Sequence, residues 1–394
     1  MEKSNELVFY NSIDLFDRSA STVLRDLEEK VDGIKLFSNM FNVFAANMTL
    51  HDRTGIITTP VRTHLLPFLA MPEFNKIDKS FEQICEERAK ELLQLSIKSN
   101  RKIVIMYSGG IDSTLIVVAF MKICTQRELK QNFVVLMNDG SVCENRNFYN
   151  NYIKKYMHVD VSYKFPFYVG HPNYIVVTGE GNDQLFGSAV SRIYMVDRGS
   201  EELFSEINND IVRDFITRKM YSNLEKSKQT ELSRFERDGD RIFRILQEVI
   251  DKSPVPITTP YQYFWWINFT LKWQSVYVRI LSFVEGIRRN TIRLEDNFFM
   301  FFSSPDFQLW AMNNTDKLIG NTWNTYKQPC KEIIYNFNKD SEYYREKVKM
   351  GSLAKIVIQK KSVYAIDTNM QFHETFPGYE FFTNNNTFAE YAKK

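Results

Sequence analysis

Cysteine is scarce and scattered: the four, Cys85, Cys124, Cys143 and Cys330, include no CxxC pair. The five histidines form no HxxxH or HExxH pair. Neither a disulfide framework nor a zinc site is expected, and the chain reads as reduced and cytoplasmic. An excess of one charge is also missing, since 50 Lys+Arg against 48 Asp+Glu leave a formal +2. That balance excludes a surface built as a whole to clamp nucleic acid, which is not expected as a partner, but leaves room for a local basic pocket. Long apolar runs are absent. The N-terminal MEKSNELVFYNSIDLFDRS lacks the core of a signal peptide. The best spanning candidate, YFWWINFTLKWQSVYVRILSF, is interrupted by Lys272 and Arg279, short of the roughly 20 residues a membrane helix needs. No membrane partner, internal repeat or low-complexity linker is expected.

What remains is a chain of 394 residues, 44% hydrophobic and 25% charged, enough to bury a sizeable core in two or three folded units. Its 14% aromatic content, with abundant Asn, Lys and Ile, suggests an AT-rich coding source. Residues 1–75 carry short strand-like runs, Asn42 to Met48 and Thr54 to Thr59, and read as a small accessory α+β unit. A helix is predicted from about Ser80 to Ile97. Ser80 and Gln83 form a capping-box pattern there, and Phe81, Ile84, Cys85, Ala89, Leu92 and Leu93 make an apolar stripe at helical spacing.

From residue 101 strands and helices alternate. The unbroken run Ile103 to Met106 predicts a parallel strand buried on both faces. The turn SGGIDST, the helix LIVVAFMKICTQRELK, the strand NFVVLMND and the helix NRNFYNNYIKKYM follow. A third strand is placed near Val159 to Tyr163 and a fourth at Tyr174 to Val177, ending in TGEGNDQLFGS. This alternation predicts an α/β, doubly wound parallel sheet over residues 76–200. Residues 201–394 read as a helical region built onto the sheet, with patterns at Glu201 to Met220, Ser233 to Asp251, Tyr261 to Glu285 and Phe307 to Trp323.

Two glycine turns sit at strand ends, where ligands of such sheets bind. In Ser108 to Thr114 a strand ends in Ser-Gly-Gly and a helix starts near Asp112. Free backbone N–H groups and the positive helix end would face an anion, with the hydroxyls of Ser108, Ser113 and Thr114 as further donors. It is not a Walker A loop, because no lysine follows the second glycine. An acidic residue inside a phosphate loop repels pyrophosphate unless a cation lies between, so Asp112 implies Mg²⁺.

SGGIDS resembles the SGGxDS signature of the PP-loop ATP pyrophosphatases, enzymes of HUP-like fold that split ATP between its α and β phosphates. TGEGNDQLFGS, Thr178 to Ser188, is similar to the SGEGxDExFGGY segment of asparagine synthetases, β-lactam synthetases and lasso-peptide cyclases. The resemblance covers roughly residues 76 to 355. It implies a pyrophosphate loop at Ser108, Gly109, Gly110, Asp112 and Ser113, with Thr114 beside it and Asp112 as a Mg²⁺ ligand. Thr178 and Gly179 match positions beside the nucleotide, Glu180 the carboxylate that assists chemistry at the activated substrate, and Asp183 the second metal ligand. In YYREKVKMGS, Arg345 and Lys347 match the segment whose lysine reaches the leaving pyrophosphate; Lys349 is an alternative. FQLWAMNN and TYKQPCKEII resemble the helices before that lysine. The chain departs from the family at Gln184, where Glu is usual, and at Ser188, where glycine is usual. It begins Met1-Glu2 with Cys85 as its first cysteine, so no glutaminase nucleophile is expected. The stand-alone synthetase half also resembles synthetase-like proteins of large tailed bacteriophages.

The resemblance implies an ATP-dependent, amide-forming ligase using ATP and Mg²⁺. Its substrates would be a small carboxylate and free ammonia or an amine, with a second copy of the chain or a separate ammonia-supplying protein as partner. Two other readings stand beside it: a PP-loop enzyme that modifies a nucleobase or tRNA, and a non-catalytic ATP-binding partner protein. His158 and His171 are read as structural or surface, Trp265 and Trp266 as core, and Arg288 and Arg289 as solvated.

Overall fold

The computed structural model describes residues 8–9, 36, 40, 50–57, 62–63, 65–169, 171–187, 189–224, 232–281, 294–320 and 322–347. The chain divides into two compact units. A sheet unit takes Lys79–Glu180, Glu285–Ser304 and Asn324–Lys394; a helical unit takes Met1–Asp78, Gly181–Val284 and Pro305–Trp323. The dividing point inside the second glycine turn falls between Glu180 and Gly181.

The sheet unit is α/β. Its five parallel strands are β1 (Lys102–Met106), β2 (Phe133–Met137), β3 (His158–Val161), β4 (Tyr174–Thr178) and β5 (Phe298–Met300), in spatial order β3-β2-β1-β4-β5. That order is compatible with a doubly wound fold, and it reverses direction between β1 and β4, where such sheets open a crevice at the carboxyl ends of the strands. Every residue of β2 is buried, as are Ile103 to Ile105 of β1, which explains their unbroken apolar runs. Sequence reading missed β5. Three residues are too few to display a period of two, yet Phe298 and Met300 are buried against the sheet.

Helix α1 (Phe81–Ser99) precedes β1 and is held by the predicted capping box. The Gln83 amide donates to Ser80 Oγ at 3.2 Å, and the Ser80 amide donates to Gln83 Oε1 at 2.8 Å. Helix α2 (Ile111–Ile123) follows β1. The continuous helix expected there breaks at Cys124, because Thr125 starts a second capping box with Glu128 that opens α3 (Gln126–Asn132). After β2 comes α4 (Asp139–Glu144), capped by Asn138. The helix expected before β3 is present but bulged, with a π turn over Tyr149–Ile153. Helices α5 (Gln328–Asn338) and α6 (Ser341–Glu346) also belong to the unit, and α2 contacts both α1 and α5.

In the helical unit Pro260–Leu271 is the central helix, buried at every position except Gln262. Trp265 and Trp266 are core residues, as expected. The pattern from Tyr261 onward breaks at Lys272 into this helix and Trp273–Leu281. Residues 201–220 likewise split into Ser200–Phe204 and Asn209–Leu224, with the Asn208 side chain accepting from the Asp210 amide at 3.0 Å. Leu232–Asp251 matches its expected span, whereas the pattern from Phe307 ends at Asn313.

The strand expected from Thr54 is a turn over residues 54–57: Asp52 Oδ1 accepts from the Thr54 amide, and Oδ2 from the Ile56 and Ile57 amides. The run at residues 42–48 lies outside the described residues, as do Arg288, Arg289 and Lys349. Beside the turn, Arg53 is buried and donates to the carbonyls of Leu69 and Phe269 at 2.8 and 2.9 Å and to the Gln308 side chain. Its guanidinium lies 4.9 Å from the Trp273 ring centroid, and burial pushes its pKa down to about 9. A cation at the C-terminal carbonyls of Pro260–Leu271 offsets the helix dipole there. Among the described residues no helix is long and apolar enough to cross a membrane.

Candidate functional site

The Ser108–Thr114 turn joins β1 to α2. Gly109 has φ +80, in the left-handed region that glycine tolerates. A Cβ there would sit 2.5 Å from the Ser141 carbonyl oxygen and 2.8 Å from Glu144 Cβ, so the position excludes a side chain on two independent grounds. Gly110 is the N-cap of α2 and offers no side chain to the first-turn amides, which leaves the helix end open to an anion. The two serines brace the turn: the Ser108 amide donates to Ser113 Oγ at 3.1 Å, and the two hydroxyls lie 3.1 Å apart. Thr114 is fully buried, with its hydroxyl donating to the Gly109 carbonyl at 3.5 Å.

The end of β4 lies against the same turn. A Cβ on Gly179 would come within 3.0 Å of Asp112 Cβ and 3.3 Å of the Ser113 amide nitrogen. Thr178 is buried, and its hydroxyl accepts from the Glu180 amide at 3.4 Å. The structure therefore brings together Ser108, Gly109, Gly110, Asp112, Ser113, Thr178 and Gly179, with Glu180 next in the chain.

Sequence reasoning missed two charged residues at this place. Lys327, the N-cap of α5, is buried and has left-handed backbone geometry, φ 59, uncommon for a residue with a Cβ. Its Nζ lies 2.5 and 2.7 Å from the two carboxylate oxygens of Asp112. Glu144, the last residue of α4, accepts from Lys347 Nζ at 2.7 Å. The side chains of Glu144 and Lys347 are only 17% and 11% exposed. Lys347 caps α6, and one turn earlier the buried Tyr343 donates its hydroxyl to the Gly109 carbonyl at 3.4 Å. Burial raises the Tyr343 pKa far above the phenol range, so this hydroxyl stays protonated as a donor. Arg345 is exposed on α6. Two lysine–carboxylate pairs thus flank one glycine turn.

Asp183 belongs to the helical unit, on Asn182–Phe186. Three side chains of Pro260–Leu271 fix that segment. Trp265 Nε1 donates to the Leu185 carbonyl at 2.8 Å, Asn268 to the carbonyls of Asp183 at 2.9 Å and Gly187 at 3.4 Å, and Tyr261 OH to the Phe186 carbonyl. Gly187, at φ +117, leaves room for Tyr261, whose hydroxyl would be 2.9 Å from a Cβ. Gln184 is buried, and its Oε1 has no hydrogen-bond partner among the described residues. His158 is exposed, and His171 Nδ1 accepts from the Asn173 amide at 3.2 Å. No cluster of three or more His, Cys, Asp or Glu side chains suited to a metal ion occurs among the described residues.

Fold and site together define an α/β protein whose parallel sheet carries a glycine turn, bounded by charge pairs, at the point where its strand order reverses. The chain matches no family model and no curated protein.

Proposed function

We propose that the protein is an ATP-dependent, carbon–nitrogen bond-forming ligase of the asparagine-synthetase type, with a sheet unit of the PP-loop, HUP-like kind. The observation that carries this reading is the approach of Gly179 to Asp112, which sets the two signature turns side by side at the ends of neighbouring strands β1 and β4. A fold can hold such turns apart, and their juxtaposition at the switch point is what a nucleotide site needs.

The residues suit a magnesium nucleotide. Mg²⁺ is commonly held by one or two carboxylates and completed by phosphate oxygens and water, so Asp112 would serve as an anchor once Lys327 moves from its carboxylate oxygens to the phosphates. When bound, the ion would supply neutralising charge at the phosphates. The open first turn of α2 and Ser108 would bind the pyrophosphate portion of ATP, the co-substrate. A substrate carboxylate attacks the α phosphorus, pyrophosphate leaves with the bonding electron pair, and nitrogen displaces AMP from the acyl carbon. Lys327 and Lys347 place fixed positive charge where the leaving group gains negative charge. Glu180 accepts the proton that the attacking nitrogen loses.

The test is product analysis from ATP with a panel of small carboxylates and ammonia. AMP and pyrophosphate, rather than ADP and phosphate, are expected, with Asp112→Asn lowering the rate by about 100-fold or more. ADP as product, or an unaffected Asp112→Asn, would reject the mechanism.

A further inference from the structure

We propose that Glu144 sets the anion selectivity of the Ser108–Thr114 turn: by holding Lys347 it excludes bare phosphate ions and admits polyphosphate that carries its own divalent cation. This rests on the ligase reading above and assigns a role to a carboxylate that the reading does not use.

Glu144 is built into the wall of the turn. Its Cβ would lie 2.8 Å from a side chain on Gly109, and its Oε1 3.4 Å from one on Gly110. Both glycines let the end of α4 approach, so a carboxylate stands beside a helix N-terminus otherwise suited to anions. Its partner Lys347 reaches it across 203 positions of sequence. Both side chains are largely withdrawn from water, which makes the pair costly to break without a replacement partner for each charge. Asp112, within the turn, and Lys327 form a second lysine–carboxylate pair, so the four charges cancel there.

A bare anion arriving here gains Lys347 only by detaching it from Glu144. That carboxylate then stands unpaired and faces the anion as a like charge. A polyphosphate that brings a divalent cation carries less net charge to the same spot, and its cation satisfies a carboxylate of the turn in the lysine's place. Selectivity thus follows from charge balance, without any difference in shape between the two ligands.

Isothermal titration with inorganic pyrophosphate, with and without Mg²⁺, tests this on the full chain. The wild type is expected to bind the magnesium complex about 100-fold more tightly than the bare ion. Glu144→Gln, which removes the charge and keeps the shape, is expected to tighten binding of bare pyrophosphate by about tenfold, and Glu144→Ala to change it in the same direction. Unchanged or weaker binding of the bare ion by both variants would overturn the proposal and leave Glu144 as a positioning residue for Lys347. A wild type that binds both forms equally would overturn it without any variant. A wild type that binds neither form would reject the ligase reading itself, which separates the two failures.

Discussion

Lys327 places its ammonium 2.5 and 2.7 Å from the two carboxylate oxygens of Asp112, across 215 positions of sequence. The lysine side chain is 2% exposed and the aspartate 29%, so each partner helps to offset the other's lost hydration. Lys327→Met is expected to destabilise the sheet unit by about 3 kcal/mol in urea unfolding, because it removes the buried counter-charge of Asp112. Adding Asp112→Asn recovers part of that loss. A double-mutant cycle with no coupling would show that the pair does not hold α5 to α2.

Two glycines with positive φ separate backbone freedom from space. Gly55, φ +71, has open space where a Cβ would stand, with nothing within 4 Å, whereas a Cβ on Gly109, φ +80, would meet the Ser141 carbonyl at 2.5 Å. Gly55→Ala is expected to cost about 1 kcal/mol, the left-handed penalty alone. Gly109→Ala is expected to cost about 3 kcal/mol or more and to abolish anion binding, since α4 must also move. Equal costs in chemical denaturation would contradict the geometry.

His51 is expected to make the stability of the helical unit acid-sensitive. Its ring is buried, with the Gln274 amide nitrogen 3.3 Å from the ring nitrogens, and burial lowers its pKa from 6.5 to about 4. Between those values the unfolded chain binds more protons than the folded one, so stability falls as pH drops from 6.5 towards 4. The loss attributable to this ring is up to roughly 3 kcal/mol. His51→Gln should flatten the stability-versus-pH curve in that window, as followed by urea midpoints, and an unchanged slope would assign the acid sensitivity elsewhere.

Gln184 stands where the synthetases that the motif resembles usually have Glu, and here the side chain is buried. Gln184→Glu inserts a carboxylate where the existing Oε1 has no hydrogen-bond partner among the described residues. A loss of about 2 kcal/mol at pH 7, shrinking as pH falls and the carboxyl is protonated, is the expected result. Equal or higher stability at pH 7 would mean that a cation reaches this position.

Local chemistry explains which parts of the fold and site were legible in the sequence. β1, β2 and β4 announce themselves because a strand buried on both faces leaves an unbroken apolar run, and α1 because Ser80 and Gln83 cap it within four residues of sequence. The break before α3 carried its own signal, Thr125 with Glu128 three residues on, masked by the apolar run before it. Lys327 and Glu144 carry none. Their meaning lies in partners 215 and 203 positions away, and Lys327 takes left-handed backbone at the start of α5, where no glycine marks it.

Calorimetric titration with Mg·ATP decides whether the Ser108–Thr114 turn is the magnesium-nucleotide site proposed above. One site per chain is expected, bound with micromolar affinity and weakened about 100-fold or more by Asp112→Asn and by Gly109→Ala. Binding that survives both substitutions unchanged, or a folded wild type that does not bind Mg·ATP, would contradict it.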